Sequence, residues 1–204
     1  MKTILKILLI GLLTVQCFAQ TTTIASKRNI ASGVGGGGSE TLIDSYSESL
    51  GDGYSTVSEA KSIGQTFLGN GMKLSSCKFF LTNYNHETLG NAVVKLYGHS
   101  GTFGSSGVPN GILLATSSST DLSAVPYYPS FILTEFVFDR TFTLVNGTHY
   151  TLCISFDGVG SNAIAVEYSF SSPTAPGNLV LSNNGIDWTA YAGGDACFYV
   201  YGVN

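Results

Sequence analysis

The chain has 204 residues, of which 11% are charged, and its 9 Lys and Arg residues against 13 Asp and Glu residues give a net charge of -4. This balance excludes a strongly basic protein that neutralises a nucleic-acid backbone, and the scarcity of charge argues against a long exposed helix or a coiled coil. The hydrophobic share of 44% and the aromatic share of 12% exclude a disordered polar chain, and with 25 glycines they favour an all-β protein of one domain.

Residues 1–19 have the pattern of a secretory signal peptide. Two lysines precede the short apolar segment 7–15, and the small residues Cys17 and Ala19 fit cleavage before the next residue. The apolar segment is too short to cross a bilayer, which takes ~20 helical residues. We therefore predict a secreted, extracellular protein without a transmembrane segment.

Residues 20–39 form a separate glycine-rich segment. The consecutive glycines at 35–38 predict a flexible leader ahead of the folded domain, which is expected to span residues 40–204. Within this segment Thr22–Ala25 has β character, so an alternative role of residues 20–33 is to add a strand to a neighbouring copy of the chain. This alternative predicts self-association through residues 20–33.

From residue 40 onward, short segments of alternating apolar and polar residues are separated by turn dipeptides such as Asn-Gly and Asp-Gly. The alternation within Tyr150–Phe156 places Leu152 and Ile154 in the core and Cys153 on the other face. Short strands at this spacing predict an antiparallel jelly-roll β-sandwich. The predicted strands are Gly64–Leu68, Ser76–Thr82, Ala92–Tyr97, Ile112–Thr116, Ile132–Phe138, Tyr150–Phe156, Ala163–Phe170, Asn178–Leu181, Trp188–Ala192 and Cys197–Tyr201.

Three cysteines, Cys77, Cys153 and Cys197, remain after removal of the signal. An odd number in an oxidising compartment allows one disulfide with one free thiol. All three also lie inside apolar strand patterns, where a free cysteine behaves as a small hydrophobic residue. Buried thiols and a single disulfide both stay open, whereas a zinc site is not indicated because no Cys or His pair has ligand spacing.

Several motifs of the predicted domain form a series along the chain. They are Gly64–Phe67 and the segments 95–104, 109–116, 144–150 and 195–202. In order and spacing they resemble the jelly-roll modules of bacterial cell-surface proteins described as choice-of-anchor domains, and similar modules of phage tail proteins. The resemblance covers residues 42–204. It implies an extracellular, non-enzymatic β-sandwich of a kind that is often a building block of larger surface proteins.

Catalytic groups are the first class of site to consider, because secreted β-sandwiches include glycosidases. Such an enzyme needs two carboxylates at ~5–10 Å from each other. Glu135 and Glu167 have outward positions on predicted strands and form the candidate pair of this weaker alternative. No Gly-x-Ser-x-Gly motif is present, and the histidines and serines define no catalytic triad. We therefore predict that the protein is not an enzyme.

The segment 183–191 carries the best candidate for a binding site, because sugars pack their C–H patches on flat aromatic rings beside a few polar groups. It contains the one Trp of the chain, Trp188, with Tyr191 as a second ring. The predicted polar partners on the same hairpin are Asn183, Asn184 and Asp187. Outward-facing Lys95, Tyr97, Tyr199 and Tyr201, with Tyr127 and Tyr128, are expected to widen this face.

Two other interpretations of the same segment stay open. Trp188 could close one end of the core, with its indole N–H bonded to a carbonyl. Residues 182–188 are also similar to the hairpin called an Asp-box, but the segment is one residue short and has Asn in place of Asp. Its polar residues then serve the turn.

Calcium is a further candidate, since it binds about six to eight oxygens from carboxylates and carbonyls. Asp44 near the start of the domain and Asp195 before the last strand are the predicted ligands, with Glu48 as an alternative to Asp44. No Asp-x-Asp-x-Asp-Gly loop is present, so the carboxylates are otherwise expected to be solvated. We predict no required cofactor and keep structural calcium as an alternative.

The sequence therefore predicts a secreted, non-catalytic binding or adhesion module that recognises a glycan or another cell-surface polymer through an aromatic patch. It predicts no nucleic-acid partner. The alternative is a structural subunit of an extracellular fibre or surface layer, in which residues 20–33 exchange between copies. A glycoside hydrolase is the weaker alternative.

Overall fold

Fourteen β-strands and one short 3-10 helix make up the part of the chain that the structure, a computed structural model, describes: residues 38–158, 162–171 and 176–204. These residues belong to one compact unit, Gly37–Asn204. The predicted signal peptide and all but the last two residues of the predicted leader lie outside the described residues. The strands are β1 Thr41–Tyr46, β2 Gly53–Val57, β3 Ser62–Leu68, β4 Lys73–Asn83, β5 Asn91–Ser100, β6 Val108–Thr116, β7 Thr120–Asp121, β8 Ile132–Val137, β9 His149–Phe156, β10 Ile164–Ser169, β11 Leu179–Ser182, β12 Trp188–Tyr191, β13 Asp195–Ala196 and β14 Phe198–Val203, and the helix is Glu48–Leu50.

The strands form two antiparallel sheets that pack as a sandwich. Sheet A has the order β1-β14-β4-β10-β13, with β2 beside β10 and β8 beside β4. Sheet B has the order β12-β11-β3-β9-β5-β6, with β7 beside β5. The predicted all-β antiparallel sandwich is thus confirmed. None of the helical turns in the described ranges is long and apolar enough for a membrane crossing.

Every strand predicted from alternation is present, with ends that differ by a few residues. The sequence missed β1 and β2, because their hydroxyl-rich segments alternate only weakly between apolar and polar residues. It also missed β7 and β13, which have two residues each and leave no periodic signal.

The core lies between the sheets and is made by the side chains that alternation placed inward. Leu152 and Ile154 of β9 and Phe198 of β14 are fully buried. Phe79 of β4 packs edge-on against Phe136 of β8, with ring centroids 6.5 Å apart. Alternation between buried and outward positions therefore decides which face of each strand meets the other sheet.

The cysteines are free and buried within the described residues. Cys153 lies on the outer face of sheet B as predicted, yet it is covered and only 1% exposed. Alternation within the predicted strand Cys197–Tyr201 places Cys197 on the outer face with Tyr199 and Tyr201, but Cys197 belongs to the core, because the chain bends between β13 and β14 at this residue. Burial raises the pKa of the Cys77 and Cys153 thiols well above the usual range, so both behave as small apolar side chains.

A buried polar contact crosses the core. The amide of Gln65 on β3 donates from Nε2 to Asp195 Oδ1 at 2.8 Å and accepts at Oε1 from the backbone N–H of Ala196 at 2.9 Å. All three residues are fully buried. Because β3 belongs to sheet B and β13 to sheet A, this contact joins the two sheets inside the buried core, where hydrogen bonds are stronger than in water.

Candidate functional site

The outer face of sheet B has a floor of small side chains. Gly64 of β3 lies opposite Cys153 of β9, and Ser62 shares its face because it is two residues away. A β-carbon at position 64 would lie 2.3 Å from the carbonyl oxygen of Leu152. Only glycine therefore allows β3 and β9 to approach as closely as they do.

Larger side chains stand at both sides of this floor. Trp188 of β12 pairs with Ser182 of β11, and Ser182 in turn pairs with Ser62 of β3 on its other side. On the other side, Lys95 of β5 lies opposite Cys153, and Tyr97 shares its face. The small residues in the middle leave a depression between these flanking groups.

This depression is a pocket of about 350 Å³, called here the sheet B pocket. Its polar groups come from several segments of the chain. The residues that line it are Glu59, Ser62, Asn91, Ala92, Val93, Lys95, Tyr97, Ser119, Cys153, Ser155, Phe156, Asp157, Gly185 and Trp188. Burial raises the pKa of Tyr97, so its hydroxyl stays protonated at neutral pH and is able to donate a hydrogen bond.

The loop between β5 and β6, residues 101–107, covers the neighbouring end of the same face. Asn178 is fully buried and donates from Nδ2 to the carbonyl of Gly107 at 2.9 Å, while its backbone N–H bonds Thr66 Oγ1 at 2.7 Å. Phe103, which lies between β5 and β6, stacks on His149 of β9 with ring centroids 4.1 Å apart. This loop covers one end of the outer face of sheet B, and the sheet B pocket lies on the part of the face that stays open.

The structure separates Trp188 from the other predicted binding residues. Asn183, Asn184, Asp187 and Tyr191 line a second pocket of about 260 Å³, called here the hairpin pocket. Trp188 and Tyr191 are three positions apart on one strand, so their side chains project from opposite faces. The predicted rings therefore do not form one surface.

The polar side chains of the hairpin are engaged in its turn. Asn184 Oδ1 accepts from the backbone N–H groups of Ile186 at 2.9 Å and Asp187 at 2.7 Å, and Asn184 Nδ2 donates to Asp187 Oδ2 at 2.7 Å. Such asparagine contacts stabilise a turn. The interpretation of residues 182–188 as turn chemistry fits these contacts.

The other outward residues that were predicted to widen the binding face are divided between the two sheets. Lys95 and Tyr97 join Trp188 in the sheet B pocket. Tyr199 and Tyr201 lie on β14 of sheet A, where the Lys78 ammonium is 5.3 Å from the centre of the Tyr201 ring. Tyr127 and Tyr128 line neither the sheet B pocket nor the hairpin pocket.

The two predicted calcium ligands influence each other electrostatically, because the charge of Asp195 contributes to the raised pKa of Asp44. Among the residues that the structure describes, however, no group of three or more metal-ligating side chains is found. Asp44 Oδ1 accepts a hydrogen bond from the backbone N–H of Ser45 at 2.8 Å, and Asp195 Oδ1 accepts one from Gln65. Calcium at this place stays a prediction from the sequence.

The half-buried Asp44 gives the stability of the fold a pH dependence. Burial raises its pKa to about 6, the Ser45 hydrogen bond opposes this rise, and the Asp195 charge adds to it. Because this pKa lies above the usual 3.8 of an aspartate, the folded state favours the protonated carboxyl. The stability gained is complete below pH 3.8 and is lost as the pH rises through about 6.

We expect Asp44→Asn to raise the free energy of unfolding at about pH 7.5 by about 1–2 kcal/mol, a value already reduced for the partial exposure of the carboxyl. Near pH 4 the substitution should change little. Urea denaturation followed by circular dichroism at both pH values measures the difference. The matched control is Asp139→Asn, because hydrogen bonds from Thr141 lower the pKa of this exposed carboxyl. Stabilisation by both substitutions at neutral pH would contradict the role of Asp44.

The two carboxylates of the glycosidase alternative have different surroundings. Glu135 of β8 lies opposite Lys78, with Oε1 and Nζ 4.0 Å apart. Glu167 of β10 lies opposite Tyr54, and the acids that raise its pKa besides burial are Glu48 and Asp52. The two carboxylates thus lie opposite different residues, and the catalytic pair stays a prediction from the sequence.

No protein-family model matches the chain, and a search of curated proteins finds no relative. The resemblance to choice-of-anchor modules stays a prediction from the sequence. The segment 20–33 that was considered for self-association lies outside the described residues.

Proposed function

We propose that the chain is a secreted, non-catalytic glycan-binding module, and that the sheet B pocket is its binding site. The observation that supports this proposal is the position of Trp188 and Tyr97 on one face of one sheet, on either side of a floor of small side chains. Aromatic rings pack on the C–H faces of sugars, and a small floor leaves room for the sugar between them. Secretion rests on the signal-peptide pattern of residues 1–19.

The polar groups of the pocket suit a ligand rich in hydroxyl groups. Lys95 and Tyr97 offer donors, and the carboxylates of Glu59 and Asp157 offer acceptors. Asp157 Oδ1 accepts from the backbone N–H of Asn91 at 2.6 Å, which fixes the carboxylate at the pocket. Donors and acceptors held beside apolar rings orient a sugar as well as hold it.

The spacing of the flanking residues favours an oligosaccharide over a single sugar. The strands β12 and β5 are separated by β11, β3 and β9. Four strand spacings of ~4.8 Å place the two strands roughly 19 Å apart before the curvature of the sheet is considered. A ligand that contacts both Trp188 and Tyr97 therefore has to extend across the sheet.

A glycan array with the purified domain tests the proposed function. We expect binding to a set of related oligosaccharides and weaker binding or none to the corresponding monosaccharides. Binding to a monosaccharide with the same affinity would contradict the extended site. Silence on every glycan of a broad array would contradict the proposed function itself.

A further inference from the structure

A cluster of aromatic side chains lies on the opposite side of the sandwich, at sheet A. Tyr54 of β2 has its ring centroid 5.2 Å from that of Tyr128 and 6.4 Å from that of Phe131, and Tyr128 and Phe131 are also 6.4 Å apart. The three rings are inclined to one another by 49° to 78°. They therefore present both faces and edges around a common space.

These rings line an open pocket of about 560 Å³, called here the tyrosine pocket, which also contains Asp52 and Glu167. Tyr54 and Glu167 are opposite each other in the β2–β10 pair. Residues in this relation have β-carbons ~5 Å apart and project from the same face of a sheet. An aromatic ring and a carboxylate thus border the pocket side by side.

The acids at this pocket lack a positive partner within the described ranges. The ion pairs found there join Lys78 with Glu135 and Arg140 with Glu40, and neither involves Asp52 or Glu167. The hydrogen-bonding neighbour of the Glu167 carboxyl among the described residues is the Cys197 thiol, which carries no positive charge. Burial raises the pKa of Glu167, the hydrogen bond with Cys197 opposes this rise, and the charges of Glu48 and Asp52 add to it, so the neighbours of this carboxyl include two further acids.

The tyrosines contribute neutral rings. The hydroxyls of Tyr84 and Tyr128 are near that of Tyr54 and, with burial, raise the pKa of Tyr54 to about 12. The phenol is therefore protonated throughout the physiological range, and its ring face keeps the negative potential that attracts a cation.

We propose that the tyrosine pocket binds an organic ammonium group, held against the faces of Tyr54, Tyr128 and Phe131 and neutralised by Glu167. Aromatic faces attract cations more strongly when the cation is partly desolvated, and quaternary ammonium groups are often bound by several rings at once. The pocket is shallow and open, so affinity should be modest. This site is on the other sheet from the sheet B pocket and does not depend on the glycan proposal.

Choline and its uncharged analogue 3,3-dimethylbutan-1-ol are the matched probes, because they have nearly the same shape and differ in charge. We expect choline to shift the tyrosine-pocket resonances in an NMR titration of the whole domain with a dissociation constant on the order of 1 mM. The uncharged analogue should bind at least about tenfold more weakly, as the loss of a cation–π contact predicts. Equal binding of both probes, or no choline binding at tens of millimolar, would overturn the proposal, whatever the fate of the variants.

Variants locate the site. Tyr128→Ala should weaken choline binding about tenfold, and Glu167→Gln, which keeps the shape of the side chain, should weaken it about fivefold. Tyr127→Ala is the control, since this neighbouring ring stacks on His86 with centroids 4.7 Å apart and does not line the pocket. Loss of binding in the control equal to that in Tyr128→Ala would count against this location, as would unchanged binding in both test variants.

Butylammonium serves as a third probe and distinguishes the source of the cation. Binding of choline alone indicates a quaternary ammonium ligand, and comparable binding of butylammonium indicates the side chain of a lysine in a partner. Both results support an ammonium site. Trp188→Ala should leave all of these titrations unchanged, so a failure of the glycan proposal would not be mistaken for a failure of this one.

Discussion

Replacing Trp188 by alanine is expected to weaken glycan binding about 30-fold or more. The side chain is half-buried at one side of the sheet B pocket, where it offers the largest flat apolar surface. An aromatic anchor in a pocket commonly contributes ~2 kcal/mol or more to binding, and each 1.4 kcal/mol corresponds to about a tenfold change in affinity. Isothermal titration with an oligosaccharide identified on the array measures this loss.

Tyr191→Ala is the matched control for this prediction, because Tyr191 lies on the same strand but projects into the hairpin pocket. Its removal should leave the affinity for the glycan within about twofold, which is ~0.4 kcal/mol. Circular dichroism would show that both variants are folded. If Tyr191→Ala abolished binding and Trp188→Ala did not, the hairpin pocket would replace the sheet B pocket as the site.

The second large effect concerns stability. Gln65→Leu is expected to lower the free energy of unfolding by about 3–4 kcal/mol, although leucine fills much of the same volume. The substitution removes the hydrogen bond to Asp195 Oδ1 and the one from the backbone N–H of Ala196, and both groups are fully buried. A buried polar group that loses its hydrogen-bond partner still carries the free-energy cost of desolvation, and no hydrogen bond offsets that cost any longer. Urea denaturation at neutral pH measures the change.

Ile63→Leu provides the comparison, since Ile63 is buried on the inner face of the same strand, two residues before Gln65. A swap that conserves volume in a core costs less than about 1.5 kcal/mol. The difference between the two variants isolates the polar contact from general disturbance of β3. Equal losses in both would mean that the contact between the sheets contributes nothing specific to stability.

The alternation of residue types in the sequence was sufficient for the main strands and the core. Leu152 and Ile154 could be placed inward because β9 is long and central, and a shift of one residue would bury polar side chains instead. The same rule, applied within Trp188–Tyr191, separates the two rings that were proposed as one patch. The sequence alone is enough to predict this separation, since side chains an odd number of positions apart on a strand project from opposite faces.

Contacts between distant segments could not be predicted in this way. The contact of Gln65 with Asp195 joins residues 130 positions apart, and neither segment carries a local signal of it. The sheet B pocket likewise combines Glu59, Asp157 and Trp188, which meet only because β12, β3, β9 and β5 lie in one sheet. Strand order depends on tertiary pairing, which periodicity alone does not determine.

Trp188 allows the central claim to be tested directly, because it is the one Trp of the chain and lines the proposed binding site. The measurement is the emission of this tryptophan, and its quenching by acrylamide, during titration with an oligosaccharide that the array identifies. A ligand that packs on the indole should change the emission and protect it from the quencher, with the same midpoint as the binding curve. A glycan that binds with unchanged emission and unchanged quenching would contradict binding in the sheet B pocket.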